Sequence, residues 1–258
     1  MKQIKLLIFT ILRSLGVNFY SVIDRRRIEI SNMLRTLSEN TILYGPLQGF
    51  YFHDTNWGRA DQSSQILGLY EAEVLREILS IGKETSCLIN LGAADGYYSV
   101  GLVRNRYFEK SYSFEISNRS REIISLNAIA NGVVDNVAIF GEAEQDFYKL
   151  IPNRDLNNAL ILVDIEGAEF DVFNENTLRA LKNCFLIIEL HEFIPEGVLK
   201  SQKLISRASE THSVRTFAQE SRNLSNISEI KNFSDNDRWL ICSEGRPEAM
   251  RWLRLDPK

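Results

Sequence analysis

Three cysteines, five prolines, three histidines and three tryptophans are all that 258 residues contain of those types. Cys87, Cys184 and Cys242 are odd in number, far apart and set among apolar residues, which argues against a disulfide framework or a structural zinc site and marks them as reduced core residues. A net charge of −4 with no long basic block leaves no electrostatic footprint for duplex nucleic acid, and no nucleic-acid partner is expected. No apolar run reaches the length of a membrane span. The nearest approach, Leu6–Leu12, follows Lys2 and Lys5, is closed by Arg13 and leads into no small-residue cleavage site, so neither a signal peptide nor an anchor is expected. Ile4, Leu7, Ile8, Ile11, Leu12 and Leu15 recur at helical spacing, which predicts an amphipathic helix packed on the domain or a partner subunit rather than on a membrane surface. A cytoplasmic location is the corresponding expectation.

What the chain does have is a strand, a glycine turn and a helix in direct succession over 87–101. The apolar run Cys87–Leu91 enters Gly92-Ala-Ala-Asp-Gly96, and helical spacing begins at Tyr97. A short, unalternating apolar run suits a parallel strand covered on both faces. Gly92 and Gly96 remove side chains where the backbone bends, and the helix start behind them offers unpaired N–H groups to a ligand. A second strand, Ser111–Ile116, carries Glu115, 23 residues after Gly92. An acid at that offset accepts hydrogen bonds from ribose hydroxyls in nucleotide-binding α/β folds. The spacing Gly-x-x-x-Gly departs from the dinucleotide fingerprint, which disfavours a nicotinamide-dependent dehydrogenase.

The rest of the pattern alternates strands and helices. Helices are expected over 20–40, over 67–79 with Gly82 as its stop, over 119–130 and over 195–208; strands are expected at 133–140, 159–164, 185–192, 212–218 and 250–255. Residues 41–66 read as an irregular, aromatic-rich segment, either a lid or a packed extension, and 219–237 as a polar loop or weak helix. The last two strands are expected to form an antiparallel edge. Strand four runs apolar to Asp164 and turns through Glu166-Gly167; strand five carries Glu189 and His191 near its carboxyl end. Acids at the ends of buried strands are costly unless they face a cleft or find partners, and ligands of open α/β sheets bind outside those ends. Asp164, Glu189 and His191 are therefore expected to converge on the pocket marked by Gly92 and Glu115.

Three blocks, Asn90–Tyr98, Phe114-Glu115 and Val163–Glu169, with Ile187–His191 as a fourth, resemble the FkbM-type family of S-adenosylmethionine-dependent methyltransferases in order and spacing. The family resemblance covers about residues 67–255. It implies an α/β, Rossmann-like class I methyltransferase fold: a seven-stranded, mostly parallel sheet flanked by helices, with an N-terminal helical extension. The corresponding division is an extension over 1–66 and a methyltransferase domain over 67–258. The implied cofactor is S-adenosyl-L-methionine, with Gly92, Ala93 and Gly96 against its methionyl part, Glu115 on the ribose, Glu142 or its backbone on the adenine, and Asp164 near the amino group or the acceptor. Asn90 stands where many methyltransferases carry an acid, and it would still orient the turn. O-methylation of a sugar, glycan or secondary metabolite is implied, with a small-molecule or glycan acceptor; a non-catalytic nucleoside-binding module of the same fold is the alternative.

A hydroxyl acceptor benefits from losing its proton, and His191 is the expected base, oriented by Asp164 or Glu189, with Asp164 itself as the competing assignment. Ligand types alone would allow a divalent metal at Asp164, Glu189 and His191, but no metal-specific spacing supports one and none is expected. Tyr70 and Glu71 either line the cleft or cap a helix. Trp239, Glu244 and Arg246 either close the acceptor side or, for Arg246 and Glu244, pair to tie down the last loop. Trp57, Tyr97 and Tyr98 are candidate aromatic platforms.

Overall fold

Cys87–Leu91 is buried along its whole length and forms an interior strand, third from one edge, of a seven-stranded sheet. The structure is a computed structural model that describes residues 22–55, 60–81, 84–157 and 159–258. In chain order the elements are α1 (Val22–Leu37), α2 (Gln62–Ile66), α3 (Ala72–Ile81), β1 (Cys87–Leu91), α4 (Tyr97–Arg104), β2 (Lys110–Phe114), α5 (Asn118–Ala130), β3 (Val137–Phe140), α6 (Asn153–Leu156), β4 (Leu160–Val163), α7 (Glu169–Val172), α8 (Glu175–Ala180), β5 (Phe185–Leu190), α9 (Gly197–Ala208), β6 (His212–Ala218), α10 (Asp235–Cys242) and β7 (Arg251–Pro257). The strand order is β3-β2-β1-β4-β5-β7-β6. Neighbours among β1–β5 pair in parallel, and β7 runs antiparallel to both β5 and β6. This is the Rossmann-like methyltransferase fold that the family resemblance implied. The last two strands form the expected antiparallel pair at the edge: β6 closes the sheet and β7 lies between it and β5, with Trp252, Leu253 and Leu255 buried.

Alternation along the strands sends residues to two cores. Cys87, Ile89 and Leu91 pack on one side with Phe170, Leu178, Leu204 and Ala208 from α7, α8 and α9; Leu88 packs on the other with Val74, Ile78, Val100 and Ile124 from α3, α4 and α5. Segment 41–52 joins this second core through Ile42, Leu47, Phe50 and Phe52. Each such fully buried side chain contributes about 1.5–3 kcal/mol. The segment 41–52 is thus a packed extension rather than a lid.

Several element ends differ from the expected ones for local reasons. The helix expected from Leu67 begins at Ala72, because Gly68 takes a left-handed φ of +65° where a Cβ would overlap the carbonyl oxygen of Tyr44. After Gly167 the chain forms two short helices, since the Asn174 side chain accepts from the N–H groups of Asn176 and Thr177 and starts α8 afresh. Helix α10, capped by Ser234, starts at the end of the stretch read as a polar loop or weak helix and continues to Cys242. The amphipathic helix expected at Ile4–Leu15, Trp57 and the stop at Gly82 lie outside the described residues. Among the described residues no helix is long and apolar enough to cross a membrane.

Candidate functional site

Strand register lines up the candidate residues. Leu91 pairs with Phe114 and Val163, Val163 with Ile188, and Glu189 with Trp252. One position further along, Glu115, Gly92, Asp164, Glu189 and Trp252 therefore form a row across the sheet at the carboxyl ends of its parallel strands. Laterally paired residues point to the same face, which gathers carboxylates from strands far apart in sequence.

The glycine turn is fixed from both sides. The N–H groups of Gly92 and Ala93 both donate to the carbonyl of Phe114, at 2.9 and 3.0 Å. Gly92 has φ +79°, and a Cβ there would overlap the carbonyl oxygen of Asp164 and lie 2.7 Å from its carbon. Its bare Cα makes room for the neighbouring strand as well as for any ligand. Gly96, at φ +85°, begins α4. The carboxylate of Glu115 is buried against this turn and accepts from the N–H of Ala94 at 2.9 Å and of Ser117 at 2.8 Å. Each oxygen keeps a lone pair, which suits the two hydroxyls of a ribose. Asn90 is buried and its Oδ1 has no hydrogen-bond partner, an acceptor left for a donor that the turn would seat. Thr55 donates to Asp95 at 2.6 Å, and Asn127 holds His53 and Asp95 together, so residues 53–55 run beside the turn. Glu142 is exposed in the loop after β3.

Beyond β4 the Asp164-Ile-Glu-Gly-Ala-Glu169 turn and the end of β5 are tied by Glu169. Fully buried, it accepts from the N–H of Gly167 at 2.8 Å, from the N–H of His191 at 3.1 Å and from the His191 ring Nδ1 at 3.0 Å. The other ring nitrogen lies 3.5 Å from Asp164 and 3.5 Å from Glu166. Burial alone would lower the imidazole, but Asp164 and Glu169 outweigh it and push it up to about 10. His191 thus holds a proton at neutral pH rather than standing ready to take one. Glu166 and Glu169 were not picked out as site residues; their place in the same block as Asp164 was the available signal.

Across the row, Arg246 enters from the loop before β7. It donates to Glu189 and Glu71 through its terminal nitrogens and to Glu244 through Nε at 3.1 Å, with the guanidinium 5.3 Å from the ring of Trp252. Tyr98 donates to the second oxygen of Glu71. Burial pushes the Glu71 carboxyl up to about 7 although Arg246 pulls the other way. Glu189 lies well above the ordinary range because it is buried and faces Asp164 and Glu71. Carboxylate oxygens of Glu71, Asp164 and Glu189 lie within 4.8 Å of one another, as do ligating atoms of Asp164, Glu166 and His191. In the first set Arg246 already supplies a cation to two members, and in the second the protonated imidazole does so.

Glu71 is thus a buried member of the charge cluster at the strand ends, and Arg246 pairs with Glu71 and Glu189 as well as with Glu244. Tyr97 is no platform: it is buried, with its ring 5.0 Å from Tyr98 and 5.5 Å from Tyr70. Trp239 is 76% exposed on α10 and belongs to a different part of the surface.

No family model and no curated protein matches this chain. Among solved structures, it is similar at 10% identity and a TM-score of 0.45 to the tRNA m1A22 methyltransferase of B. subtilis, over 71% of this chain and 64% of that one, a little under two thirds of its length. It is similar at 11% identity and 0.48 to the precorrin-6y C5,15-methyltransferase of Geobacter metallireducens, over 73% and 90%. A protein from Klebsiella pneumoniae described as an O-methyltransferase matches at 13% identity and 0.47, over 96% and 94%. Likenesses this distant say nothing of a substrate. The fold itself is of the class I methyltransferase type, on its own strand order and register.

Proposed function

We propose that this chain is an S-adenosylmethionine-dependent methyltransferase of the FkbM type, acting on a hydroxyl of a sugar, glycan or secondary metabolite. The observation that carries the reading is the row of strand ends: Glu115 as a diol acceptor, a turn bare of side chains at Gly92, and Asp164 and Glu189 beyond it. Gly92, Ala93 and Gly96 would seat the methionyl part, Glu115 the ribose and Glu142 or its backbone the adenine, with the unpartnered Oδ1 of Asn90 turned to an N–H of the ligand. Bound there, S-adenosylmethionine supplies a methyl group on a sulfonium that is its own leaving group.

The chain has then to align the acceptor oxygen and take its proton. Asp164, 43% exposed and beside both carboxylate sets, is the acceptor of that proton in our reading. His191, held protonated by Glu169, fixes Asp164 from behind and acts as a positioning residue rather than as the base. Calorimetric titration with S-adenosylmethionine, S-adenosylhomocysteine and NAD tests the cofactor. Binding of the two adenosyl ligands without NAD supports the reading, and a folded protein that binds neither overturns it.

A further inference from the structure

A cavity of about 680 Å³ opens between residues 221–231 and α10, and none of its lining residues belongs to the glycine turn or to the strand ends. Its charged lining is three cations and one acid: Arg222, Lys231, Arg238 and Asp235. Arg238 and Asp235 stand 3.7 Å apart with side chains 42% and 90% exposed, a pair of little strength. Lys231 makes no ion pair with any described residue. Arg222 is 3% exposed and grips Glu73 and Glu244 with its terminal nitrogens, yet its buried Nε has no partner. A buried N–H of a charged group left unmade is costly, and here it sits on a residue that borders open volume. Trp239 adds a large ring, three quarters exposed, over a floor that includes Leu224 and Ile227.

The strand ends have the opposite character, with Glu71, Asp164, Glu189 and Glu244 gathered about one guanidinium. An anion is repelled there and attracted to the cavity. The two regions are one carboxylate apart: Glu244 accepts from Arg222 at 2.5 Å on one oxygen and from Arg246 at 3.1 Å on the other. We propose that the cavity holds an anionic, ring-bearing arm of the acceptor, a phosphate or carboxylate carried on a sugar or planar ring. The anion would meet Lys231 and Arg238, with Arg222 lining the same cavity, and the ring would lie on Trp239. The word acceptor rests on the methyltransferase reading, but the binding does not.

The test is calorimetry on the full chain with glucose 1-phosphate, glucuronate, uridine monophosphate, glucose and inorganic phosphate. Wild type is compared with Trp239→Ala and with Lys231→Ala/Arg238→Ala, and each sample is also titrated with S-adenosylhomocysteine. We expect saturable binding of at least one ring-borne anion, with glucose and inorganic phosphate each weaker by about tenfold or more, and a loss of about tenfold or more in both variants. Which ring anion binds identifies the arm. S-adenosylhomocysteine binding should be unchanged by the substitutions, which are at exposed positions for Lys231 and Trp239 and a half-exposed one for Arg238, and which leave the fold intact. Absence of binding by all three ring anions, or binding that both variants retain, overturns the assignment. Loss of the adenosyl ligand from wild type would sink the methyltransferase reading and leave the cavity result standing by itself.

Discussion

Substituting alanine at three glycines separates two costs that Gly92 combines. Gly141 has no left-handed φ and nothing within 4 Å of a built Cβ, so Gly141→Ala should change stability by no more than about 0.5 kcal/mol. Gly132 has φ +71° in open space, so Gly132→Ala should cost only the left-handed penalty, about 1–2 kcal/mol. Gly92 has φ +79° and the Asp164 carbonyl where its Cβ would go. The blocking atom is backbone in the adjacent strand and cannot rotate away, so β1 and β4 must part at their carboxyl ends. Overpacking of this kind adds about 1–3 kcal/mol, for roughly 2–5 kcal/mol in all. Urea denaturation of the three variants gives the comparison directly. Equal stabilities for Gly92→Ala and Gly132→Ala would refute the claim that strand contact, rather than φ alone, requires glycine at 92.

Three other perturbations bear on the charges and the core. Because His191 is raised from its ordinary value to about 10, its stabilising contribution is full below about pH 6.5 and is lost as pH rises through 10; the stability gap between wild type and His191→Gln, roughly 2–4 kcal/mol near neutrality, should close over that window in denaturation curves. Arg246→Met leaves Glu71 and Glu189 buried without their cation and should cost about 3–5 kcal/mol. Adding Glu189→Gln should recover part of that loss, and a double variant no more stable than the single one would contradict the pairing. Phe50→Ala should cost about 3–5 kcal/mol by thermal unfolding if segment 41–52 is core, and well under 1 kcal/mol if it is a removable lid.

Much of this architecture is written locally. Apolar runs of strand length ending on Asp164 and Glu189, with glycine turns behind Leu91 and Ile165, locate the strands and the edge at which their acids collect, because alternation and turn chemistry act within a few residues. The position of β7 is not local. Met250–Leu255 reads as a strand, but which strands it joins depends on where the chain has already gone, and its insertion beside β5 is what brings Trp252 into the row with Glu189. The same holds for Arg246, whose carboxylate partners lie 2, 57 and 175 residues away. Pairing over such distances leaves no periodicity to read.

The part that His191 takes in the proposed reaction turns on its surroundings as well as on its residue type. An isolated imidazole near neutrality is a natural base, and its place at a strand end beside two acids looks like a device for making it one. The outcome depends on which atom each acid reaches. Glu169, with no exposure to water, accepts from the Nδ1 side, and Asp164 and Glu166 face Nε2 at 3.5 Å, so both ring nitrogens are set among carboxylates that favour a proton on each. Of the three acids around the ring, Glu169 is fully buried, whereas Asp164 is 43% and Glu166 79% exposed, and Asp164 alone also belongs to the carboxylate set with Glu71 and Glu189. On the proposed reaction, the proton-accepting group is therefore the half-exposed Asp164 at the end of β4, and the buried histidine places a positive charge 3.5 Å from it.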